Sequence, residues 1–233
     1  MVYITGDIHG DINRIRNFCI DYNTTTDDIL IILGDVGFNF FLNGRDDKLK
    51  YKASKLPITL FCVRGNHEER AENVDGYNSE LFFDGIVYKQ QQYPNIKFAK
   101  DGEVYNIDGK RCLVIGGAYS VDKHYRIIHS LPWFDTEQLA EYEMEEIKHN
   151  LQKVGNNFDY VLTHTCPYNV RPTHLFLPQI DQSTVDNSME YFLQDIANTI
   201  TFNKWYFAHY HDNWKKDNYI MLYRTILKLG ESL

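Results

Sequence analysis

The sequence has 233 residues, of which 43% are hydrophobic and 24% are charged, and its formal net charge at pH 7 is -8. This length and composition indicate a globular protein of one or at most two domains of about 150 residues, and they exclude a disordered chain, a collagen, a coiled coil and a disulfide-rich miniprotein. The excess of acidic residues argues against an extended nucleic-acid-binding surface, because phosphate binding needs clustered Lys and Arg.

The first part of the chain alternates predicted strands with predicted helices. Residues 2–4 and the apolar runs 29–33 and 58–63 are typical of buried strands. A helix is predicted at residues 11–21, with its start near Asp11, and a second helix at residues 48–55. The first helix places four apolar side chains on one face, namely Ile12, Ile15, Phe18 and Cys19.

The second part of the chain begins with a predicted β-hairpin, in which residues 104–107 and 112–115 flank the turn Asp108-Gly109. A long helix is predicted at residues 136–154, with Asp135 as N-cap and with its acidic residues on a solvated face. The remaining predicted elements are strands at residues 160–163, 205–208 and 219–227 and a helix at residues 185–198. No linker or change of composition interrupts the chain, so residues 1–233 are predicted to form a single domain.

The cysteines and the lack of long apolar segments predict the subcellular location of the protein. The longest clean apolar run, residues 29–33, is far shorter than the ~20 residues that span a bilayer, so we expect no membrane contact. No signal-peptide pattern opens the chain, and the first polar motif starts at Gly6. The four cysteines form no Cys-x-x-Cys pair, which favours reduced thiols in a cytoplasmic protein.

Polar residues follow five of the apolar strands, at the point where each predicted strand ends. Ligands of layered α/β proteins collect beyond the carboxyl ends of strands. Each residue alone has a structural interpretation, such as a carboxylate that caps a strand or a hydrogen-bonded buried histidine. The five motifs are Asp7-Ile8-His9, Gly34-Asp35, Gly65-Asn66-His67-Glu68, His164 and His209-Tyr210-His211.

Taken together, these five motifs predict a metal site. Imidazole and carboxylate ligands suit Mn²⁺, Fe or Zn²⁺. Seven ligand groups are too many for one ion, and they suit two ions roughly 3.5–4 Å apart that share a carboxylate. The seven predicted ligands are Asp7, His9, Asp35, Asn66, His164, His209 and His211.

The five motifs resemble those of the calcineurin-like metallophosphoesterase superfamily, whose pattern is D-x-H, G-D, G-N-H-[DE], H and G-H-x-H. The resemblance extends from Gly6 to His211, and Ala208 stands where the family usually has Gly. It implies an α/β, or α+β, four-layer sandwich of two mixed β-sheets flanked by helices. It also implies two divalent or transition-metal ions; we expect Mn²⁺, with Fe, Zn²⁺ and Ni²⁺ as alternatives.

The resemblance also implies a role for each site residue. It assigns Asp7, His9 and His211 to a first metal and Asn66, His164 and His209 to a second, with Asp35 between them. A hydroxide that bridges the two metals would attack phosphorus, and His67 would act as general acid on the leaving group. Arg64, beside this loop, would hold the substrate phosphate, or alternatively pair with a neighbouring Glu.

One departure from the family concerns its phosphoprotein-phosphatase branch, which Gly6–Gly10 and Arg64–Glu68 also resemble. That branch has an Asp-Arg-Gly element after the bridging Asp, where this sequence has Phe38-Asn39-Phe40. The element's Asp orients the catalytic His and its Arg binds phosphate. Both functions therefore lack their usual residues here, which weakens the case for a Ser/Thr protein phosphatase.

Two irregular segments are candidates for the missing substrate contacts. Residues 116–126 follow a strand and carry Lys123 and Arg126, which either bind substrate phosphate or are ordinary surface charges. Residues 165–182 follow His164 and carry Arg171, and they form either a substrate lid or a plain connection.

The sequence therefore predicts a binuclear metal-dependent phosphoesterase that acts on phosphomonoesters or phosphodiesters. Phosphorylated small molecules, nucleotides and phosphoproteins all remain open as substrates. The alternatives within this class are a protein phosphatase-like enzyme and a dinucleoside polyphosphate hydrolase, and a nuclease is disfavoured by the acidic charge. The alternative from another class is a non-catalytic metal-binding scaffold, which the complete ligand set disfavours.

Overall fold

Thirteen strands and five α-helices make up the computed structural model, which describes residues 1–233. The helices are α1 (Ile12–Tyr22), α2 (Gly44–Ser54), α3 (Lys123–Ile128), α4 (Glu141–Val154) and α5 (Ser188–Thr199). The strands are β1 (Val2–Thr5), β2 (Ile29–Leu33), β3 (Thr59–Val63), β4 (Tyr77–Phe82), β5 (Gly85–Gln90), β6 (Ile96–Ala99), β7 (Val104–Ile107), β8 (Lys110–Ile115), β9 (Asn157–Thr163), β10 (Thr201–Phe207), β11 (Trp214–Lys216), β12 (Tyr219–Met221) and β13 (Leu227–Lys228).

The strands form two mixed β-sheets. The first has the order β13-β1-β2-β3-β6-β5-β4 and the second has the order β11-β12-β10-β9-β8-β7. In the first sheet β1, β2, β3 and β6 are parallel neighbours, and in the second β8, β9, β10 and β12 are. Antiparallel strands complete both edges of each sheet.

Three hydrophobic cores hold the layers together. The core between the two sheets contains Leu33 and Tyr206, both fully buried. Ile15 of α1 belongs to the core on the outer face of the first sheet, and Leu193 of α5 belongs to the core on the outer face of the second. The central strands are buried on both faces for this reason, which explains their continuous apolar sequences. The predicted four-layer sandwich of two mixed sheets flanked by helices is confirmed.

Several predicted elements lie where the sequence placed them. Helix α1 buries the predicted apolar face, and the side chain of Asp11 accepts a hydrogen bond from the amide of Arg14 as an N-cap. The hairpin of β7 and β8 turns at Asp108 and Gly109, both with positive φ, as a type I′ turn requires. All four cysteines are free and buried. No helix has the length and apolar character needed to cross a membrane.

The predicted helix at residues 136–154 begins too early, because α4 starts only at Glu141. The carbonyl oxygens of residues 136–138 accept hydrogen bonds from the side chains of Arg64 and Arg70 instead of from a helical backbone. Two buried guanidinium groups therefore hold this segment in a turn outside the helix, and the acidic face begins within α4.

Residues 71–100 contain structure that the sequence analysis did not predict. Strands β4 and β5 form an antiparallel pair that continues through β6 to the centre of the first sheet. The side chains of β4 are half-buried or exposed and those of β5 are buried or half-buried, so neither strand has the continuous buried run of the central strands. Helix α2 begins at Gly44 rather than residue 48, and α5 begins at Ser188 rather than residue 185. Helix α3 overlaps the end of residues 116–126, which were expected to be irregular.

Candidate metal centre

The predicted ligands lie together at one edge of the two sheets. Asp7 and His9 follow β1, Asp35 follows β2, and Asn66 follows β3. From the second sheet, His164 follows β9, and His209 and His211 follow β10. The parallel strands of each sheet end on the same side, so their loops bring the seven side chains within contact of one another.

One group of ligand atoms opens to solvent. The Nε2 atom of His211 lies 3.0 Å from Nε2 of His9 and 3.0 Å from Oδ2 of Asp7. The Nε2 atom of His9 lies 3.9 Å from Oδ2 of Asp35. One ligand atom from each of these four residues fits within 4.8 Å of the others. The two carboxylates are buried and the two imidazoles are exposed, so the group has a solvated side.

A second group of ligand atoms lies deeper. The Oδ1 atom of Asn66 is 2.8 Å from Nε2 of His164 and 3.2 Å from Nδ1 of His209. The Nδ1 atom of His164 lies 2.7 Å from the carbonyl oxygen of Leu33. A carbonyl only accepts, so Nδ1 of His164 carries the proton and, in the neutral ring, Nε2 is a lone pair that faces the cluster.

Asp35 lies between the two groups. Its Oδ2 atom faces His9, and its Oδ1 atom lies 3.7 Å from Nε2 of His164. The backbone amide of His67 donates a hydrogen bond of 2.9 Å to the same Oδ1 atom, which fixes the carboxylate. Although burial opposes it, the electrostatic interaction with the nearby imidazole of His164 keeps the pKa of Asp35 below its usual value.

The donor atoms fit a cation. The buried Oδ2 atom of Asp7 lies 3.0 Å from Nε2 of His211 but has no contact with good hydrogen-bond geometry, although protein interiors rarely leave such an atom unpaired. Although burial opposes it, contacts with His211 and His9 hold the pKa of Asp7 well below its usual range, so the carboxylate is ionised. Burial, and then His164, lower the pKa of His209 to about 3, which leaves its imidazole in the neutral form that binds metals.

The backbone around the cluster is unusual. Four of the predicted ligands have positive φ, an uncommon conformation for a residue with a side chain: His9 at 43°, Asp35 at 46°, His209 at 69° and His211 at 56°. Such strain concentrates at functional sites. Gly34 allows another close approach, because a Cβ atom there would lie 2.1 Å from Nδ1 of His164.

His67 lies beside the cluster without a carboxylate hydrogen-bonded to its ring. Its Nε2 atom is 3.8 Å from Oδ2 of Asp35. Burial lowers its pKa. The residues at the positions of the absent Asp-Arg-Gly element face elsewhere: Phe38 is fully buried in the core, and Oδ1 of Asn39 accepts from Tyr77 at 3.1 Å.

The structure does not bring Arg64 to the cluster. Its Nε atom donates to Oδ2 of Asp101 at 2.9 Å, and its other nitrogens donate to carbonyl oxygens of residues 116, 136 and 137. The side chain is buried with its N–H groups engaged, so the expected phosphate contact is replaced by a structural role. The expected alternative partner was also wrong, since the ion pair is with Asp101 rather than Glu68 or Glu69.

Lys123 and Arg126 are also engaged elsewhere. The Nζ atom of Lys123 lies 4.3 Å above the ring of Trp133. The Nε atom of Arg126 donates to Oδ2 of Asp122 at 2.7 Å. Neither of the two basic side chains lines the cavity beside the cluster, whereas Asp122 does.

That cavity has a volume of about 420 Å³ and extends from the cluster toward residues 171–187. Asp35, Asn66, His67, His209 and His211 form one end. A larger groove of about 690 Å³ lies between the ends of α4 and α5, but it contains none of the predicted site residues. The cavity of about 420 Å³ is therefore the candidate substrate-binding cavity.

The burial of two acids near this site was not predicted from the sequence. The carboxylate of Glu68 accepts from the amides of Gly37 and Gly65 and so joins two of the ligand loops. Burial, and then the charge of Asp35, raise the pKa of Glu68 to about 8. Glu190 lines the cavity, and only its place three residues before Leu193 on the buried face of α5 could have indicated its burial.

Comparisons with known proteins agree with the fold. The sequence model of the calcineurin-like phosphoesterase family matches residues 1–213. One crystal structure matches with a TM-score of 0.53 and 12% identity and covers 95% of this chain and 88% of its own. A phosphopantetheinyl hydrolase from Mycobacterium tuberculosis matches with a TM-score of 0.46 and 12% identity, over 95% of this chain and 87% of its own.

A protein of unknown function from Aquifex aeolicus matches with a TM-score of 0.34 and 16% identity, over 73% of this chain and 81% of its own. No curated protein matches the sequence. At these identities, the crystal structure with the TM-score of 0.53 is evidence for the fold alone.

Proposed function

Because the chain belongs to the calcineurin-like phosphoesterase family, it is a hydrolase of phosphate esters, and we propose that two metal ions in its site cleave phosphomonoesters or phosphodiesters. The observation that carries this proposal is the position of Asp35. Its two carboxylate oxygens face different ligand groups, one toward His9 and the other toward His164. A carboxylate so placed suits a pair of ions that share it.

The residues divide into two ligand sets. Asp7, His9 and His211 would hold the first ion with Asp35, and Asn66, His164 and His209 would hold the second with Asp35. When bound, two such ions neutralise the charge of the phosphate group and supply hydroxide near neutral pH. We propose Mn²⁺ as the metal to test first, because imidazole and carboxylate ligands suit it.

The chain's own residues orient these ligands. The Nδ2 atom of Asn66 donates to Oγ of Ser120 at 2.8 Å, which turns its Oδ1 atom toward the two imidazoles. The carbonyl of Leu33 fixes the ring of His164 in the same way. Orientation of the ligands by these partners reduces the reorganisation needed when the site is filled.

His67 is the proposed proton donor to the leaving oxygen. It lines the cavity beside Asp35 and is half-buried, so its ring can reach a bound substrate. Burial lowers its pKa, which makes the protonated ring a stronger acid. Deprotonated His67 can then take a proton from solvent before the next turnover.

The alternative functions fare differently. The buried structural role of Arg64 and the Phe38-Asn39-Phe40 sequence remove both arginines expected of a phosphoprotein phosphatase, so that function is not favoured. Membership of a hydrolase family favours an enzyme over a metal-binding scaffold. We also propose a cytoplasmic location, supported by the four buried free thiols.

The test compares metal-free protein with protein to which Mn²⁺ is returned, using p-nitrophenyl phosphate and bis-p-nitrophenyl phosphate. We expect Mn²⁺-dependent turnover and two bound ions per chain by elemental analysis. In Asp35→Asn we expect the turnover and the bound ions to be lost. The matched control is Asp27→Asn, at an exposed residue. Turnover that needs no metal, or that survives in Asp35→Asn, would contradict the proposal.

A further inference from the structure

The cavity beside the cluster has a wall that the cleavage of a phosphate group does not require. Residues 171–187 contribute much of this wall, including Arg171, Phe176 and Ile180. The volume of about 420 Å³ falls in the range of pockets that enclose small organic molecules. A phosphate at the cluster would therefore leave most of the cavity to the organic part of its ester.

Aromatic side chains line this cavity. Tyr119, Phe176 and Tyr210 all contribute to it, and the rings of Phe176 and Tyr210 are nearly parallel, with centroids 6.2 Å apart. Phe176 is half-buried, so part of its ring remains free for a ligand. Flat aromatic rings stack favourably on such surfaces.

One of the residues that line this cavity, Glu190, has a carboxylate oxygen without a partner. Glu190 is only 5% exposed; its Oε1 atom accepts a hydrogen bond of 2.7 Å from Thr165, and its Oε2 atom has none. A buried acceptor that stays unpaired costs about 1–3 kcal/mol. A ligand that brings an N–H or O–H group to Oε2 would remove this cost, so the cavity favours a hydrogen-bond donor.

A fixed cation lies near this acid. The guanidinium carbon of Arg171 lies 3.5 Å from the ring centroid of Tyr168, and its Nη1 and Nε atoms donate to Asn187 and to the carbonyl of Tyr168. Arg171 also lines the cavity. A cation held in place by three contacts attracts an anionic substrate without a further loss of side-chain freedom.

We propose that this cavity binds the nucleoside part of a nucleotide substrate, with the base against Phe176 and an N–H group of the base donating to Oε2 of Glu190. A nucleobase combines the three required properties: a flat ring, a hydrogen-bond donor on its edge, and attachment to a phosphate ester. The substrate class rests on the proposed phosphoesterase function. A phosphoserine side chain has neither the ring nor the donor.

The first experiment measures binding apart from catalysis. Isothermal titration of the metal-free protein with adenosine, guanosine, cytidine and uridine, and with ribose as reference, reports on the cavity alone. We expect at least one nucleoside to bind about tenfold or more tightly than ribose. Glu190→Gln and Phe176→Ala should each weaken this binding by about fivefold or more, whereas Glu141→Gln, at an exposed residue of α4, should not.

The second experiment measures turnover with Mn²⁺ on the nucleotide esters of the class, monoester or diester, that the nitrophenyl substrates identify. We expect kcat/KM for the best nucleotide to exceed that for ribose 5-phosphate, or its matching diester, and for a phosphoserine peptide by about tenfold. The preference should shrink in Glu190→Gln. Circular dichroism shows whether the variant is folded, and Phe176→Ala supplies an independent test.

The outcomes separate the two proposals. Absence of Mn²⁺-dependent turnover together with Glu190-dependent nucleoside binding would overturn the proposed catalytic function but support the nucleoside pocket. Turnover of nitrophenyl esters without nucleoside binding, or with a preference for the phosphopeptide, would overturn the pocket proposal alone. A nucleotide preference that is unchanged in both folded variants would also overturn it.

Discussion

A Cβ atom on Gly65 would lie 2.0 Å from the Oδ1 atom of Asp35, closer than any side chain can tolerate. Gly65→Ala should therefore displace the carboxylate that faces both ligand groups, and we expect metal binding and turnover to be lost. Elemental analysis of the purified variant measures this directly. Gly44→Ala is the control, because a Cβ atom there would have no neighbour within 4 Å; normal metal content in Gly65→Ala would contradict the geometry.

His67→Ala should separate proton donation from metal binding. An alkyl leaving group needs a proton more than nitrophenolate does, so we expect kcat to fall by about a hundredfold or more with an alkyl phosphate and by less with p-nitrophenyl phosphate. Metal content should stay at the wild-type value, and His149→Ala, at an exposed helical position, should change neither quantity. An equal loss with both leaving groups would argue that His67 does not donate the proton.

Arg64→Lys should affect stability more than substrate binding. A lysine cannot make the four directed bonds that the guanidinium makes to Asp101 and three backbone carbonyls. We expect the free energy of unfolding to fall by about 2–4 kcal/mol, as measured by urea denaturation. Arg16→Lys at the surface is the control. A large rise in KM with unchanged stability would instead restore the phosphate-binding role.

Glu137→Gln should stabilise the protein in a pH-dependent manner. Glu137 is 2% exposed and neither carboxylate oxygen has a hydrogen bond, and burial raises its pKa above the ordinary 4.5. A raised pKa means that the folded state holds the proton more tightly, so the contribution of Glu137 to stability is fullest below pH 4.5 and falls as pH rises through the folded pKa.

The neutral glutamine side chain does not ionise, so Glu137→Gln should not lose stability as the pH rises. We expect the metal-free variant to be more stable than wild type at pH 7 by about 1–2 kcal/mol, and the difference to diminish near pH 4. Urea unfolding at both pH values measures the change. Glu141→Gln, at an exposed residue, should show no such trend, and a stability difference for Glu137→Gln that does not vary with pH would contradict the assignment.

The parts of the structure that could be predicted from the sequence share one physical property. Strand β2 is buried on both faces, so its five residues form an apolar run with polar residues at its end. The end of this apolar run is therefore enough to predict that Asp35 lies at the edge of the sheet, just after β2. Where burial and strand ends coincide in this way, local sequence is enough to place a candidate ligand at the edge of the sheet.

The sequence was insufficient where long-range contacts decide the structure. Arg64 is close to the predicted ligand Asn66 in the chain, yet its side chain turns to Asp101 and to residues 136–137, which no local pattern links to it. The same contacts displaced the start of α4 from its predicted position. Glu190 is a second example, since nothing in the mixed composition of α5 distinguishes this acid, which is buried and lines a cavity, from the exposed acid of the same helix.

The order of the ligands along the chain has a consequence for the protein's synthesis. Asp7 and His9 leave the ribosome first, whereas their neighbours His209 and His211 lie 202 residues or so downstream. Strand β1 also pairs with β13, so its edge of the sheet can form only after β13 has been made. A nascent chain therefore carries Asp7, His9 and Asp35 before His164, His209 and His211 have been made, and the closure of so long a loop is slow. The proposed metal site is therefore complete only once almost the whole chain has been made.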